Sequence, residues 1–352
     1  MTKTTNGLTD EPTETSSYNN SQRSEPNEYA QLKRLVKSAG LLDKNPGHYA
    51  VKMTVTMSLL ALSVAVLTTV DSVWIQVVNA AFLAFIITQL CFLGHDLGHK
   101  QVFRSSQNND RVGLLVSFLV GINRTWWVEK HNEHHSNPND LDLDPDVDLP
   151  LIAFSEEQAR GMKGIPRFIV TYQAFLFYPL VCFEGLVLKI SGIRYMFGNR
   201  LMFPVAEPMM MIGHIGAYAG LVFLSLPFWQ GLLFIAVNQM LIGLYIGSTF
   251  APNHKGMLTL DGNTKLDFLR KQVLTSRNVK SSPLNDLLYG GLNYQIEHHL
   301  FPSMPRNRLK DAQRIVMPFC QKHSISYYET GVVRSQREIL QYLHHVSAPL
   351  RA

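Results

Sequence analysis

The sequence predicts an all-α integral membrane protein with four transmembrane helices in two hairpins and a cytosolic helical cap. Four apolar runs of about 20 residues predict the membrane part, because each is long enough to cross a bilayer. Very short links join these runs in pairs, which predicts the hairpins. Three short boxes of histidines at helical spacing lie outside the runs and predict that the cap carries a shared site.

The first 29 residues differ in composition from the rest of the chain. Residues 1–29 are rich in Thr, Ser, Asn and Glu and predict a disordered polar tail, which leaves residues 30–352 as the membrane domain. No apolar stretch follows Met1, so we expect no cleavable secretory signal. The cysteines, Cys91, Cys182 and Cys320, are too far apart to predict a disulfide framework or a C-x-x-C metal site.

Two uncharged runs, residues 53–70 and 73–94, predict the first hairpin, with spans at about 51–70 and 73–94. A helix rises about 1.5 Å per residue, so about 20 residues match a hydrocarbon core roughly 30 Å thick. Only a few residues around Asp71 separate the two runs, so we expect a tight turn between antiparallel helices.

The second hairpin is predicted from residues 208–254, which contain no Asp, Glu, Lys or Arg. Pro227 and Gly231 mark a turn near the middle of this stretch, and the predicted spans are about 208–226 and 232–250. Residues 168–188 are also largely apolar. If the boxes share metal ions they must lie on one side, so an even number of spans separates them, and 168–188 is predicted to lie along the membrane interface.

The distribution of basic residues predicts which side is cytosolic. Both hairpin turns lack Lys and Arg, whereas the N-terminal segment and residues 95–207 and 251–352 contain them. By the positive-inside rule, the boxes and both termini are then cytosolic. The net charge of +5 is compatible with nucleic-acid binding. However, the basic residues avoid the apolar half of the chain, which favours contact with membrane lipid and no nucleic acid as a partner.

The three boxes predict a metal centre. Helical spacing of three or four residues puts the histidines of each box on one helical face. Eight histidines exceed what one first-row metal accepts, so two ions are predicted, and imidazole does not select among Zn, Cu, Fe and Ni. The candidate ligands are His95, His99, His131, His134, His135, His254, His298 and His299, with Gln295 as a further candidate.

Three acidic residues beside the ligands either orient them as hydrogen-bond acceptors or only cap and solvate the helices: Asp96, Glu133 and Glu297. Asn293 and Asn253 are candidate ligands that act through water. The acidic run from Asp140 to Asp148 is predicted to be a solvated loop, because it lacks the glycine and terminal glutamate of a calcium-binding EF-hand. His214 lies within a predicted span, away from the boxes, and is predicted to make a polar contact between helices.

From about residue 90 to 330 the chain resembles the integral-membrane fatty-acid desaturases. The motifs that carry the resemblance are HDLGH, HNEHH followed by DPD, and GGLNYQIEHHLFPSMPR. The resemblance implies a non-haem di-iron centre at the cytosolic mouth of a four-span bundle, with the box histidines as iron ligands. His254 matches the histidine that follows the fourth span in this family. Gln295 stands where many relatives have histidine, and whether it binds iron directly, through water or not at all is open.

The same resemblance implies an O2-dependent enzyme that desaturates an acyl chain bound to CoA or lipid. Glutamine in the third box is typical of front-end desaturases but also occurs in bacterial relatives, so the double-bond position is open. An apolar acyl slot is expected beside the metals, between the spans and residues 168–188. The chain has no His-Pro-Gly-Gly motif, so a separate ferredoxin, flavin reductase or cytochrome b5 is expected as the electron donor.

Two alternatives stay open on sequence alone. A hydroxylase or sphingolipid desaturase of the same superfamily would share the histidine boxes. A membrane receptor or transporter with a structural zinc site would need fewer ligands and closed tetrahedral coordination. Acyl chain length, acyl carrier, electron donor and oligomeric state are not predicted.

Overall fold

A computed structural model describes residues 27–261 and 264–351, and these residues are mostly helical. The helices in chain order are α1 (Glu28–Ser38), α2 (Pro46–Thr69), α3 (Val73–Gly98), α4 (Ser106–Val120), α5 (Arg124–Ser136), α6 (Glu156–Gly161), α7 (Gly164–Thr171), α8 (Gln173–Val181), α9 (Glu184–Met196), α10 (Ala206–Ser225), α11 (Phe228–His254), α12 (Phe268–Leu274), α13 (Pro283–Leu288), α14 (Gln295–Leu300), α15 (Leu309–Lys322) and α16 (Val332–Val346). Short 3₁₀ turns occur at Arg306–Arg308 and Ala348–Leu350.

Among the described residues, four helices are individually long and apolar enough to cross a membrane: α2, α3, α10 and α11. They match the four predicted spans, although α2 and α10 end one residue earlier than predicted. Helix α3 continues to Gly98 and α11 to His254, so each carries a histidine near its end. The helices are longer than predicted because main-chain hydrogen bonding continues past the apolar run, whereas hydropathy detects only the apolar part.

Polar side chains link the long helices within their apolar packing. The Ser63 hydroxyl on α2 donates to Oδ1 of Asn79 on α3 at 2.7 Å. The Asn238 amide on α11 donates to the carbonyl of Ala80 on α3 at 3.0 Å. Each buried polar group is thereby satisfied, and the bonds fix how α2 and α11 lie along α3.

The segment 168–188 is divided among α7, α8 and α9, and α8 and α9 are bent by 69° at the break between them. Gly243 of α11 lies under this break, where an added Cβ would come within 2.5 Å of the Cys182 carbonyl oxygen. At the start of α8, Gln173 donates to the carbonyl of Leu343 on α16. At the end of α9, the Tyr195 hydroxyl donates to Glu129 on α5. Both far ends therefore contact helices outside the four long ones.

Helix α1 begins inside the predicted polar tail. The Asn27 side chain accepts a hydrogen bond from the Tyr29 amide, which caps the helix, and the helix starts at Glu28. The predicted tail boundary at residue 29 is therefore two residues late, because the cap precedes the first apolar residue. Residues 1–26 lie outside the described residues, so their disorder stays a prediction.

Beside the helices, two short strands pair in parallel. These are β1 (Asn278–Val279) and β2 (Glu329–Thr330). The Asn278 side chain accepts from the Ile296 amide and donates to Glu297. The strand therefore anchors the buried helix α14, which carries the third histidine box.

Candidate metal centre

Four segments bring the predicted ligands together. Helix α3 supplies the first box at its end, α5 the second, α14 the third, and the last residue of α11 is His254. All eight histidines and Gln295 meet in two adjacent groups. The first group is His95, His99, His131, His135 and His298, and the second is His134, His254 and His299. Gln295 joins the second group, with an amide atom 3.0 Å from Nε2 of His254.

The distances within the first group fit ligands of one ion. Nε2 of His135 lies 3.1 Å from Nε2 of His131 and 3.1 Å from Nε2 of His298. Metal–nitrogen bonds of about 2.1 Å at angles of about 90–110° separate two ligand nitrogens by roughly 3.0–3.4 Å. A neutral imidazole nitrogen has either one hydrogen or one lone pair, so it cannot hydrogen-bond both neighbours fully. A shared ion accounts for both contacts.

The second group has the same spacing. Nε2 of His134 lies 3.3 Å from Nε2 of His254, and the His299 ring packs against both, with ring centres at 5.2 Å and 4.6 Å. The rings of His135 and His299 stack at 4.1 Å, which joins the two groups. The arrangement provides two neighbouring nitrogen-rich sites.

The outward-facing nitrogens of the second group are each held by an oxygen. Nδ1 of His134 lies 3.0 Å from the Asp144 carboxylate, and Nδ1 of His254 lies 3.0 Å from the Thr275 carbonyl. Nδ1 of His299 lies 2.8 Å from Oε1 of Gln272. An acceptor at Nδ1 keeps the proton there and turns the Nε2 lone pair inward, as metal-binding histidines require.

Three of the ring nitrogens in the two groups have no hydrogen-bond partner in the described part of the chain, which leaves them free to bind a metal. The buried Nε2 atoms of His95, His99 and His299 make no hydrogen bond with the described residues. Buried polar atoms without partners are rare and need an explanation. These residues therefore fit metal ions, and nine donors fit two ions better than one.

Burial keeps these rings neutral. It lowers the pKa of His131, His135, His298 and His299 well below the ordinary value, with additional repulsion from neighbouring histidines. Neutral imidazole is the form that binds a metal, so the site needs no deprotonation at neutral pH.

The predicted supporting residues lie in different places. Asp96 contacts Nδ1 of His95 at 3.3 Å, and Asn253 donates to Gln295 at 3.1 Å, so both touch the centre. Glu297 binds Asn278 and Tyr327, and burial raises its pKa to about 7. Asn293 donates to Asp286. Glu133 is exposed and does not fit an orienting role.

Two supporting residues were missed by the sequence reasoning. The acidic run was predicted to be a solvated loop, but Asp144 is only 2% exposed and contacts His134. The sequence signal for Asp144 is the DPD triplet that follows the second box. Gln272 carries no such signal, because it lies 27 residues from His299 and outside every motif.

His214 lies apart from the metal groups, beside a cavity among the long helices. Its Nε2 lies 3.5 Å from the Lys189 ammonium, and its ring stacks on Tyr218. The predicted polar contact between helices is present, since Lys189 belongs to α9 and His214 to α10.

Comparisons with known proteins agree with the resemblance predicted from the boxes. A family model described as fatty acid desaturase matches residues 72–331. An acyl-lipid (9-3)-desaturase from Physcomitrium patens is 30% identical over 331 residues, covering 91% of this chain and 62% of that protein. A Delta(6)-fatty-acid desaturase from Caenorhabditis elegans is 31% identical over 343 residues, covering 91% and 76%. A Delta 8-(E)-sphingolipid desaturase from Emericella nidulans is 26% identical over 346 residues, covering 92% and 62%.

Proposed function

Because the chain belongs to the fatty acid desaturase family, we propose that it introduces a cis double bond into an acyl chain bound to CoA or lipid. The observation that carries this proposal is the convergence of eight histidines and Gln295 into two adjacent groups. Two iron ions would occupy these groups. In the structure the amide nitrogen of Gln295 faces His254 and its oxygen accepts from Asn253. With both amides turned over, the Gln295 oxygen would be the fourth donor of the second site and would leave its NH2 to donate to Oδ1 of Asn253.

The reaction balances as follows: a –CH2–CH2– unit, O2, two electrons and two protons give –CH=CH– and two waters. Bound iron would supply the O2 activation needed to remove hydrogen from an unactivated methylene, which no side-chain acid or base achieves. The chain itself orients the ligands through Asp96, Asp144 and Gln272. Burial of His298 and His299, at 0% and 1% exposure, limits access of water to the centre.

We propose that the four long helices form two membrane hairpins with the metal centre and both termini on the cytosolic side. The contacts of α8 and α9 support the even number of spans that this requires. The start of α8 bonds to α16 and the end of α9 bonds to α5, which carries the second box. The bent pair would then enter and leave the membrane on one side instead of crossing it.

The acyl chain would occupy an apolar slot among the long helices. A cavity of about 170 Å³ lies between α2, α3, α4, α9, α10 and α11. Leu83 and Ile87 of α3 line it, and Ile87 is eight residues, or about 12 Å, along the helix from His95. From α9 only Lys189 lines the cavity, and Lys189 and His214 add polar groups to its wall. That residues 168–188 form one side of the slot stays a prediction.

Filling this cavity should block the reaction without removing metal. Ala217 lines the cavity from α10, so Ala217→Trp places an indole ring where the acyl chain would lie. We expect at least a tenfold loss of product with iron content unchanged, measured by mass spectrometry of fatty acids and elemental analysis. The matched control is Ile212→Trp on the same helix, where the side chain is 72% exposed. If the two variants are equally active, the acyl chain does not bind in this cavity.

Electrons would come from a separate redox protein, a ferredoxin, a flavin reductase or a cytochrome b5. His131 and His135 are the half-buried members of the ligand set, and the intervening residues Asn132 and Glu133 are exposed. The outer face of α5 is therefore the shortest route from the surface to the ligands.

The proposal is tested by expressing the chain in a host fed a range of acyl chains. Fatty acids and sphingoid bases are profiled by mass spectrometry with double-bond location, beside a His298→Ala control. A new unsaturated fatty acid that disappears in the control is the expected result, and it fixes the double-bond position. Products confined to sphingoid bases would favour the second candidate, which the similarity to the Emericella nidulans enzyme supports. A hydroxylated product, or zinc in place of iron, would contradict desaturation.

A further inference from the structure

Gln272 contacts one ligand from each metal group. Its Oε1 accepts a hydrogen bond from Nδ1 of His299 at 2.8 Å. Its Nε2 donates to the main-chain carbonyl of His135 at 3.0 Å. The side chain is completely buried, on the short helix α12. His299 belongs to the second group and His135 to the first, and their rings stack directly.

The oxygen and the NH2 group of the Gln272 amide have different roles. The oxygen can only accept, so it requires a proton on Nδ1 of His299 and leaves the Nε2 lone pair facing the second group. The NH2 end can only donate, so it holds the carbonyl of His135 near the end of α5. A single planar group thus fixes the orientation of one ring and the main-chain position of another ligand.

The three histidines of the second group are held by three kinds of oxygen. His134 has a carboxylate, from Asp144, and His254 has a main-chain carbonyl, from Thr275. His299 has the amide of Gln272, the only one of these three acceptors that also binds the first group. Gln272 is therefore a side-chain link between the two groups that binds no metal itself, in addition to the direct stacking of His135 on His299.

We propose that Gln272 is a positioning residue that sets the metal affinity of the second site and couples it to the first. The inference rests on the proposed metal centre but not on the reaction, since its effect is on metal retention. Loss of a hydrogen-bond partner to a ligating histidine typically weakens metal binding about 10- to 100-fold. Replacing Gln272 by the apolar, similarly shaped methionine removes both hydrogen bonds.

The chain offers a matched control in Gln173. It is also buried, at 1% exposure, and its amide bonds only main-chain groups, the carbonyls of Ala153 and Leu343 and the amide of Ala153. Gln173→Met therefore causes the same loss of a buried amide away from the metals. Gln272→Glu keeps an acceptor for His299 and removes the donor to His135, which separates the two roles.

The experiment measures metal per purified chain and the rate of metal release to a chelator. We expect Gln272→Met to release one of two ions at least tenfold faster than wild type, while Gln173→Met releases both at the wild-type rate. Gln272→Glu should retain the second ion nearly as well as wild type. The thermal unfolding midpoints of the metal-free proteins show how much each substitution destabilises the fold. Equal release rates in Gln272→Met and Gln173→Met would overturn the proposal, and this readout holds whichever metal is bound or product formed.

Discussion

His298→Ala and His299→Ala should each remove one metal ion, but from different sites. The two residues are neighbours in sequence, yet His298 belongs to the five-histidine group and His299 to the three-histidine group. Adjacent positions on a helix point about 100° apart, so one residue faces each site. Each variant should therefore lose metal from one site only, and its metal content should fall from about two ions per chain toward one. Both should lose activity by at least about 100-fold, because the proposed reaction would use both ions.

The two losses differ in a way that can be measured. His299→Ala removes one of three histidines from its group, whereas His298→Ala leaves four of five. We therefore expect His299→Ala to retain less metal in its site at limiting iron, as determined by elemental analysis of the purified proteins. His345→Ala on α16, where the side chain is exposed, is the control and should keep both ions. Retention of two tightly bound ions by either ligand variant would contradict the assignment of ligands to sites.

The sequence predicted which side chains come together but not how they divide into two groups. The histidines of each box were expected on one helical face, because they are spaced at helical intervals. In the structure His298 turns to the first group, while Gln295 and His299 turn to the second. A helical face about 100° wide can meet two neighbouring sites. Which histidine joins which group depends on how α5 and α14 pack against each other. The spacing of residues within one box carries no information about that packing.

The membrane helices were the most predictable part of the fold, because an uncharged run of about 20 residues has few alternatives. The supporting contacts were the least predictable. Gln272 lies 27 residues from His299 and 137 from His135. Asp144 was hidden in an acidic run whose other members suggested a solvated loop, although Asp144 itself is buried. The Gln272 contacts are formed by tertiary packing, and a single sequence gives no local sign of them, whereas the DPD triplet was a sign of Asp144.

Arg306→Met should be among the most destabilising single substitutions in the chain. Arg306 and Asp96 form a buried ion pair, and Arg306 also donates to the carbonyl of Phe92. The pair joins the segment after the third box to α3, next to His95. Removing the arginine leaves a buried carboxylate without its cation, which typically costs about 3–5 kcal/mol. The same substitution removes the contact between the segment after the third box and the helix that carries the first box. We therefore expect Arg306→Met to lower both the thermal stability and the metal content.

A set of variants separates the charge effect from a loss of packing. Arg314→Met removes an arginine that is 73% exposed and paired with Asp311, and an exposed pair contributes about 0–1 kcal/mol. Asp96→Asn combined with Arg306→Met leaves no uncompensated carboxylate, so the double variant should be more stable than Arg306→Met alone. Thermal unfolding of the purified proteins in detergent measures both differences. If Arg306→Met unfolds at the same temperature as Arg314→Met, the buried pair does not hold the third box against α3. If the double variant is no more stable than Arg306→Met, the cost comes from lost packing and the Phe92 hydrogen bond instead of from the unpaired charge.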